Sequence, residues 1–159
     1  MGADAAPDGR SDPVLSRDQI EQALHPPLTR GFVPRGLARR DQVSQSVSLS
    51  IQFEHNSSVL QPVAFTQLRQ LQLALASQGL RSDRFMVAGH TDAQGNPQYN
   101  KDLSLRRAEA VKQFLVTRGI DAGRLDTVGY GADRLLVPDR PNDPSNRRVE
   151  IRVVGQQAP

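Results

Sequence analysis

Residues 84–129 read RFMVAGHTDAQGNPQYNKDLSLRRAEAVKQFLVTRGIDAGRLDTVG, and the order of patterns within them decides the fold. Arg84 to His90 is a short apolar run, which predicts a strand buried on both faces. A polar loop, Thr91 to Gln98, follows it. From near Asn100 the residues Leu103, Ala108, Val111 and Leu115 recur at helical spacing, with Phe114 beside them. Arg118-Gly119-Ile120 ends this helix in the manner of a Schellman motif, with glycine at the left-handed position and an apolar residue after it. Asp121-Ala122-Gly123 then turns the chain into a short strand, Leu125 to Gly129.

Working outward, Val47, Leu49, Ile51 and Phe53 alternate with Ser and Gln, the period of a half-buried strand. Asn56-Ser57-Ser58 breaks it. Pro62 suits a first helical position, Phe65, Leu68, Leu71 and Leu75 follow at helical spacing, and Gly79 is a natural stop. Downstream, a loop carrying Pro138, Pro141 and Pro144 leads to a last alternating strand, Arg148 to Val154. The order strand–helix–strand–helix–strand–strand predicts an α/β (α+β) sandwich. Its mixed sheet has about four strands, with two main helices packed on one face. The unit is expected over residues 47–154, about 108 residues, enough for one core. Residues 1–46 are expected to be a tail or linker acting as a tether, with 1–13 disordered. Within that segment lies one short helix over 16–25: Ser16 as N-cap, Gln19 as its capping-box partner, Leu15 and Ile20 as a hydrophobic staple, and His25-Pro26-Pro27 as the stop. Residues 155–159 are expected to be a disordered C-terminus.

Composition narrows the chemistry. The chain has 159 residues and no cysteine, which excludes disulfide scaffolds, Cys-ligated metals and thiol nucleophiles. No stretch approaches the ~18–20 apolar residues of a membrane span. There is no signal-peptide pattern, so the chain is either cytosolic or separated from a targeting segment. The pI near 9.9 suggests nucleic acid, but the net charge is only +3, with 20 basic against 17 acidic residues. Without a basic stripe or interleaved aromatics, no nucleic-acid partner is expected.

Two places carry candidate chemistry. Thr91-Asp92 leaves the C-terminal end of a strand, where α/β folds place ligands. Arg106-Arg107 falls in the early turns of the second long helix, where the dipole disfavours cations, so an anion should offset them. Asp92, Asp102 or Glu109 could serve internally, or a ligand carboxylate externally. Arg107 borders the buried stripe and needs a defined partner; Arg106 points to solvent.

These residues match a known family. The chain resembles the OmpA-like peptidoglycan-binding domain of outer-membrane porin tails, peptidoglycan-associated lipoproteins and flagellar stator proteins. The resemblance is carried by Ile51-Gln52-Phe53-Glu54-His55-Asn56-Ser57 with Leu60, and by Val87-Ala88-Gly89-His90-Thr91-Asp92 with Gly95. It is densest in Asn100-Lys101-Asp102-Leu103-Ser104-Leu105-Arg106-Arg107-Ala108-Glu109-Ala110-Val111. It continues through Gly119-Ile120, Arg124-Leu125 and Gly129-Tyr130-Gly131 to Asn146-Arg147-Arg148-Val149-Glu150-Ile151. The resemblance implies non-catalytic binding of peptidoglycan through the meso-diaminopimelate of its stem peptide. Such binding would anchor the parent protein, or the outer membrane, to the cell wall from the periplasm. Asp92 falls on the family's ammonium-binding aspartate and Arg107, fifteen residues later, on its carboxylate-binding arginine. Thr91, Asn100 and Leu103 line the implied pocket, with Phe53 and Glu54 beside it. The chain departs from the family at Leu135, where a proline is usual, and in a shorter, proline-dense loop before Asn146.

Other readings are weaker. His90, Asp92 and Ser104 could be drawn as a hydrolase triad, but no nucleophile elbow accompanies them, so no enzyme is expected. His90, Asp92 and His55 supply too few certain ligands for a metal site, and no cofactor is implied. Asn146-Arg147-Arg148 could touch glycan or a second chain, with bracing of the last strand the expected role. A periplasmic scaffold in an envelope complex, with weak or lost peptidoglycan binding, is the alternative. Homodimerisation stays open.

Overall fold

Alternation along four strands decides which residues face the helices. In the computed structural model, which describes residues 13–25 and 45–156, these strands are β1 (Ser46–Leu49), β2 (Asp83–His90), β3 (Leu125–Gly131) and β4 (Arg148–Gln156). The helices are α1 (Arg17–Leu24), α2 (Ala64–Leu75) and α3 (Pro97–Thr117). The sheet order is β1-β4-β2-β3, with β2 and β3 parallel and β4 antiparallel to both of its neighbours. A mixed sheet layered with helices is the expected class. Val47, Leu49, Phe85, Val87, Leu125, Val149 and Ile151 lie on one face and join Leu68, Leu71, Leu75, Ala108, Val111 and Leu115 in a single core. The opposite face holds the alternate residues, among them Arg84, His90, Asp126, Glu150 and Arg152. There Arg84 pairs with Asp126 at 2.7 Å, and His90 Nε2 lies 3.2 Å from Glu150 Oε1.

The helix α3 sits against β2 and β3 unusually closely, because glycine supplies the room. A Cβ on Gly89 would meet the backbone of Ser104, whose carbonyl carbon would be 2.9 Å away. One on Gly129 would meet the Lys101 carbonyl oxygen at 2.7 Å. Ser104 Oγ uses this proximity to accept the Gly131 N–H at 2.9 Å and donates to the Lys101 carbonyl. The helix ends as expected: Ile120 N–H donates to Leu115 O and Gly119 N–H to Val116 O, with Gly119 at φ 104°.

Several boundaries differ from the sequence-based expectation. The helix α3 starts at Pro97, not near Asn100, because Asn96 Oδ1 caps the Tyr99 N–H and Pro97 needs no donor at the first position. Arg106 and Arg107 therefore lie about three turns into the helix, beyond the reach of the dipole at its start. Helix α2 starts at Ala64, since Pro62 sits in the preceding turn, and it ends at Leu75, with Gly79 in the turns beyond. Phe65 is exposed rather than in the stripe, stacking on Phe114 with centroids 5.7 Å apart; Ala64 takes the buried position instead. Strand β1 stops at Leu49, and Phe53 makes only an isolated bridge to Leu60. Residues 155 and 156, expected to be disordered, extend β4 because Asp83 and Arg84 of β2 pair with them.

The short helix α1 has its capping box, with Ser16 accepting from the Gln19 N–H and the Gln19 side chain accepting from the Ser16 N–H. It is more than a tether. Ile20 and Leu24 are fully buried in the common core, and Gln67 of α2 exchanges two hydrogen bonds with the Leu15 backbone. The expectations for residues 1–12, 26–44 and 157–159 lie outside the described residues.

Candidate functional site

Strand β2 delivers Thr91 and Asp92 to the end of the sheet. The Thr91 N–H continues the pairing by donating to Gly131 O at 2.8 Å, while its hydroxyl donates to the Asp92 carbonyl. The Asp92 side chain then turns back on its own loop, Oδ1 accepting the Gln94 N–H at 3.0 Å. Asn100, on the first turns of α3, donates from Nδ2 to Gln94 O at 2.8 Å and so ties the loop to the helix. Leu103 is buried one turn further along. Thr91, Asp92 and Asn100 are all at most 7% exposed, so the loop is held rigidly by satisfied polar groups rather than by apolar packing.

Arg107 comes from the same helix, four residues beyond Leu103. Its Nε–H donates to Ser57 O at 2.8 Å, Nη2 reaches Glu54 O at 3.5 Å, and the guanidinium lies 4.8 Å from the centroid of the Phe53 ring. Tyr99 Oη donates to Asn56 O at 3.4 Å, fixing the same loop from the start of α3. Burial pushes the Arg107 pKa below its ordinary value, and the nearby charges of Arg147 and Arg106 push the same way. Among the described residues no carboxylate lies within ion-pair distance of Arg107. A partly desolvated guanidinium held only by carbonyls retains capacity for an anion. Phe53 lies beside the arginine. Glu54 contributes its carbonyl, and the residue itself is exposed.

Asp92 is not paired with Arg106 or Arg107. Its Oδ2 accepts from Arg147 Nη1 at 2.7 Å, a contact sequence reasoning missed by assigning residues 146–148 to bracing. The bracing itself comes from Asn146, which is fully buried. Its Oδ1 accepts the Val137 N–H, and its Nδ2 donates to the carbonyls of Arg140 and Pro141. Pro141 O also accepts the Ala93 N–H, so the proline-dense loop is bound to the Asp92 loop. Of the other internal candidates, Asp102 accepts from Gln98. Arg147 and Arg107 line one cleft together with Phe53, Ile51, His90 and Arg148. Asp92, Thr91, Asn100 and Leu103 lie outside that lining; Asp92 is joined to it through its ion pair with Arg147, while Arg148 donates to the carbonyls of Asn146 and Arg134. His90 turns to Glu150 and Tyr130, not to Ser104. Among the described residues no three His, Asp or Glu side chains gather as metal ligands would. No helix among them is long and apolar enough to cross a membrane.

The chain is similar in sequence and fold to known proteins. The chain is 38% identical over 113 residues to outer membrane porin F of Pseudomonas fluorescens, covering 69% of this chain and 34% of that protein. It is 34% identical over 114 residues to the peptidoglycan-associated lipoprotein of Pseudomonas aeruginosa, covering 70% and 66%. The chain thus spans between a third and two thirds of these curated relatives. The crystal structure of the peptidoglycan-associated lipoprotein from Burkholderia pseudomallei superposes with a TM-score of 0.54 at 27% identity, over 67% of this chain and 89% of that one. The OmpA family pattern matches residues 52–149, from the loop that seats Arg107 to the strand that follows Arg147, and the chain belongs to that family.

Proposed function

We propose that this chain binds peptidoglycan non-covalently and without catalysis, gripping the meso-diaminopimelate of the stem peptide. Residues 47–154, with α1 packed against them, form the binding unit. The side-chain end of diaminopimelate carries an ammonium and a carboxylate. Asp92 takes the ammonium, since a carboxylate accepts several hydrogen bonds at once. Arg107 takes the carboxylate through its planar fork, which lysine cannot reproduce. Asn100, Thr91 and Leu103 hold the two charges at a fixed separation, and Phe53 orients the guanidinium.

The observation that carries this reading is Arg107: half buried, anchored by carbonyls, and without a carboxylate partner among the described residues. Each charge-assisted bond contributes about 1.5–3 kcal/mol, part of which offsets the cost of association, so the two ends must act together rather than singly. The parent protein is thereby held to the cell wall in the periplasm of a Gram-negative envelope, a role that accords with the names of its relatives.

Sedimentation with diaminopimelate-type peptidoglycan tests the proposal. Wild type should pellet, while Asp92→Asn and Arg107→Ala should remain in the supernatant. Variants that pellet like wild type would refute the charge clamp. A wild-type chain left in the supernatant would favour a scaffold in an envelope complex.

A further inference from the structure

The carboxylate assigned to the ligand's ammonium is already occupied. Asp92 Oδ2 accepts from Arg147 Nη1 at 2.7 Å and Oδ1 from the Gln94 N–H, and the Asp92 side chain is only 9% exposed. Little of its surface is left for an additional cation. Arg147, by contrast, has 49% of its side chain exposed. Its backbone position is fixed by Asn146 on one side and β4 on the other, so only the side chain is free to swing. Its charge also acts unfavourably on Arg107 across the cleft.

We propose that Arg147 is an internal competitor for the ammonium subsite, a latch that closes Asp92 in the unliganded chain and is displaced when ligand binds. The inference rests on the reading that Asp92 takes the ligand's ammonium, and it deepens that reading by adding a threshold. A ligand bearing only an ammonium exchanges one cation for another at Asp92 and gains little. A ligand bearing an ammonium and a carboxylate at the right separation makes the same exchange and adds the bond to Arg107. The latch therefore suppresses binding of free amines and lysine-type stem peptides below a useful level. Diaminopimelate-type stem peptides still bind, although the same latch weakens them by an equal factor. It also keeps a nearly buried carboxylate compensated while the site is empty, which an open pocket would not do.

The consequence is contrary to ordinary charge reasoning, because removal of an arginine should tighten binding. Calorimetric titration of Arg147→Gln with soluble diaminopimelate-type and lysine-type stem peptides should give affinities about fivefold higher than wild type for both, the worth of a half-exposed ion pair. Arg147→Lys keeps a cation at Oδ2 and should stay within about twofold of wild type. In wild type itself, the side-chain N–H signals of Arg147 should move toward solvent-exposed positions as the diaminopimelate-type peptide saturates the site. Weaker or unchanged binding by Arg147→Gln, or Arg147 signals that do not move, would overturn the latch while leaving the clamp intact. If neither wild type nor Arg147→Gln binds either peptide, the clamp and the latch fail together.

Discussion

Substitution of Gly89 by alanine should damage the fold and the site in one step. Gly89 faces α3, and an added Cβ would strike the Ser104 carbonyl group, with its carbon at 2.9 Å and the Ser104 Cα at 3.2 Å. Carbon atoms rest at about 3.5–4.0 Å, so the helix must retreat by roughly 0.6–1 Å at Ser104. The obstacle is backbone, which cannot rotate away as a side chain would. Overpacking of a core costs about 1–3 kcal/mol, and a backbone clash between a strand and a helix belongs at the upper end. The displaced stretch of α3 lies between Asn100 and Arg107, while Asp92 follows β2, so the two charges of the clamp shift relative to one another. Urea denaturation should show a loss of about 3 kcal/mol, with the slope unchanged. Titration of the folded variant with a diaminopimelate-type stem peptide should show affinity reduced by about tenfold, since polar groups misplaced by more than ~0.5 Å lose their geometry. A denaturation midpoint equal to wild type would refute the close approach of α3. A stability loss with unchanged affinity would refute the claim that this approach sets the spacing of the site.

Three further outcomes follow from the packing and the charges. Arg124 is 6% exposed and donates to the carbonyls of Leu75, Leu80 and Asp83; Arg124→Ala should cost about 3 kcal/mol or more in urea denaturation, because all three acceptors are stranded. Leu24→Ala should cost about 2–5 kcal/mol by the same assay and leave ligand affinity unchanged below the unfolding temperature, since Leu24 belongs to the core but not to the cleft. The hydrogen bond from His90 holds the Glu150 carboxyl below its ordinary pKa, so its stabilisation is present above the ordinary carboxylate range and is lost as pH falls through the folded value. Stability measured from neutral pH downward should therefore fall less steeply in Glu150→Gln than in wild type; identical acid limbs would contradict the pair.

The strongest sequence signals were the ones that depend on local periodicity. The apolar spacing of Leu103, Ala108, Val111 and Leu115, the left-handed Gly119 and the capping box at Ser16 each reflect interactions within one helix, and each is present as expected. Asn96-Pro97 carries an equally local start signal, but it lies inside a polar, glycine-containing stretch with the composition of a loop, and the start it sets places Arg107 further from the helix dipole than a start near Asn100 implies. Phe65 shows a different limit. Its spacing suits the buried stripe, yet Ala64 occupies that side and Phe65 stacks outside on Phe114. The partners across the site depended on tertiary contact alone. Nothing within residues 91–107 announces that Arg147 closes on Asp92, or that the carbonyls of Ser57 and Glu54 seat Arg107, because those groups are tens of residues away along the chain. Likewise, α1 carries an apolar pair sufficient for burial, but its isolation before a proline-rich stretch made it resemble a tether.

The central claim is that Asp92 and Arg107 grip the two ends of one zwitterion. The most direct measurement compares, by calorimetric titration of the intact chain, a diaminopimelate-type stem peptide with the same peptide amidated at the distal carboxylate. Amidation keeps the ammonium and the size but removes the partner of Arg107. Affinity should fall by at least tenfold in wild type, and this difference should vanish in Arg107→Ala. Equal affinities for the two peptides in wild type, or a discrimination that survives in Arg107→Ala, would contradict the clamp.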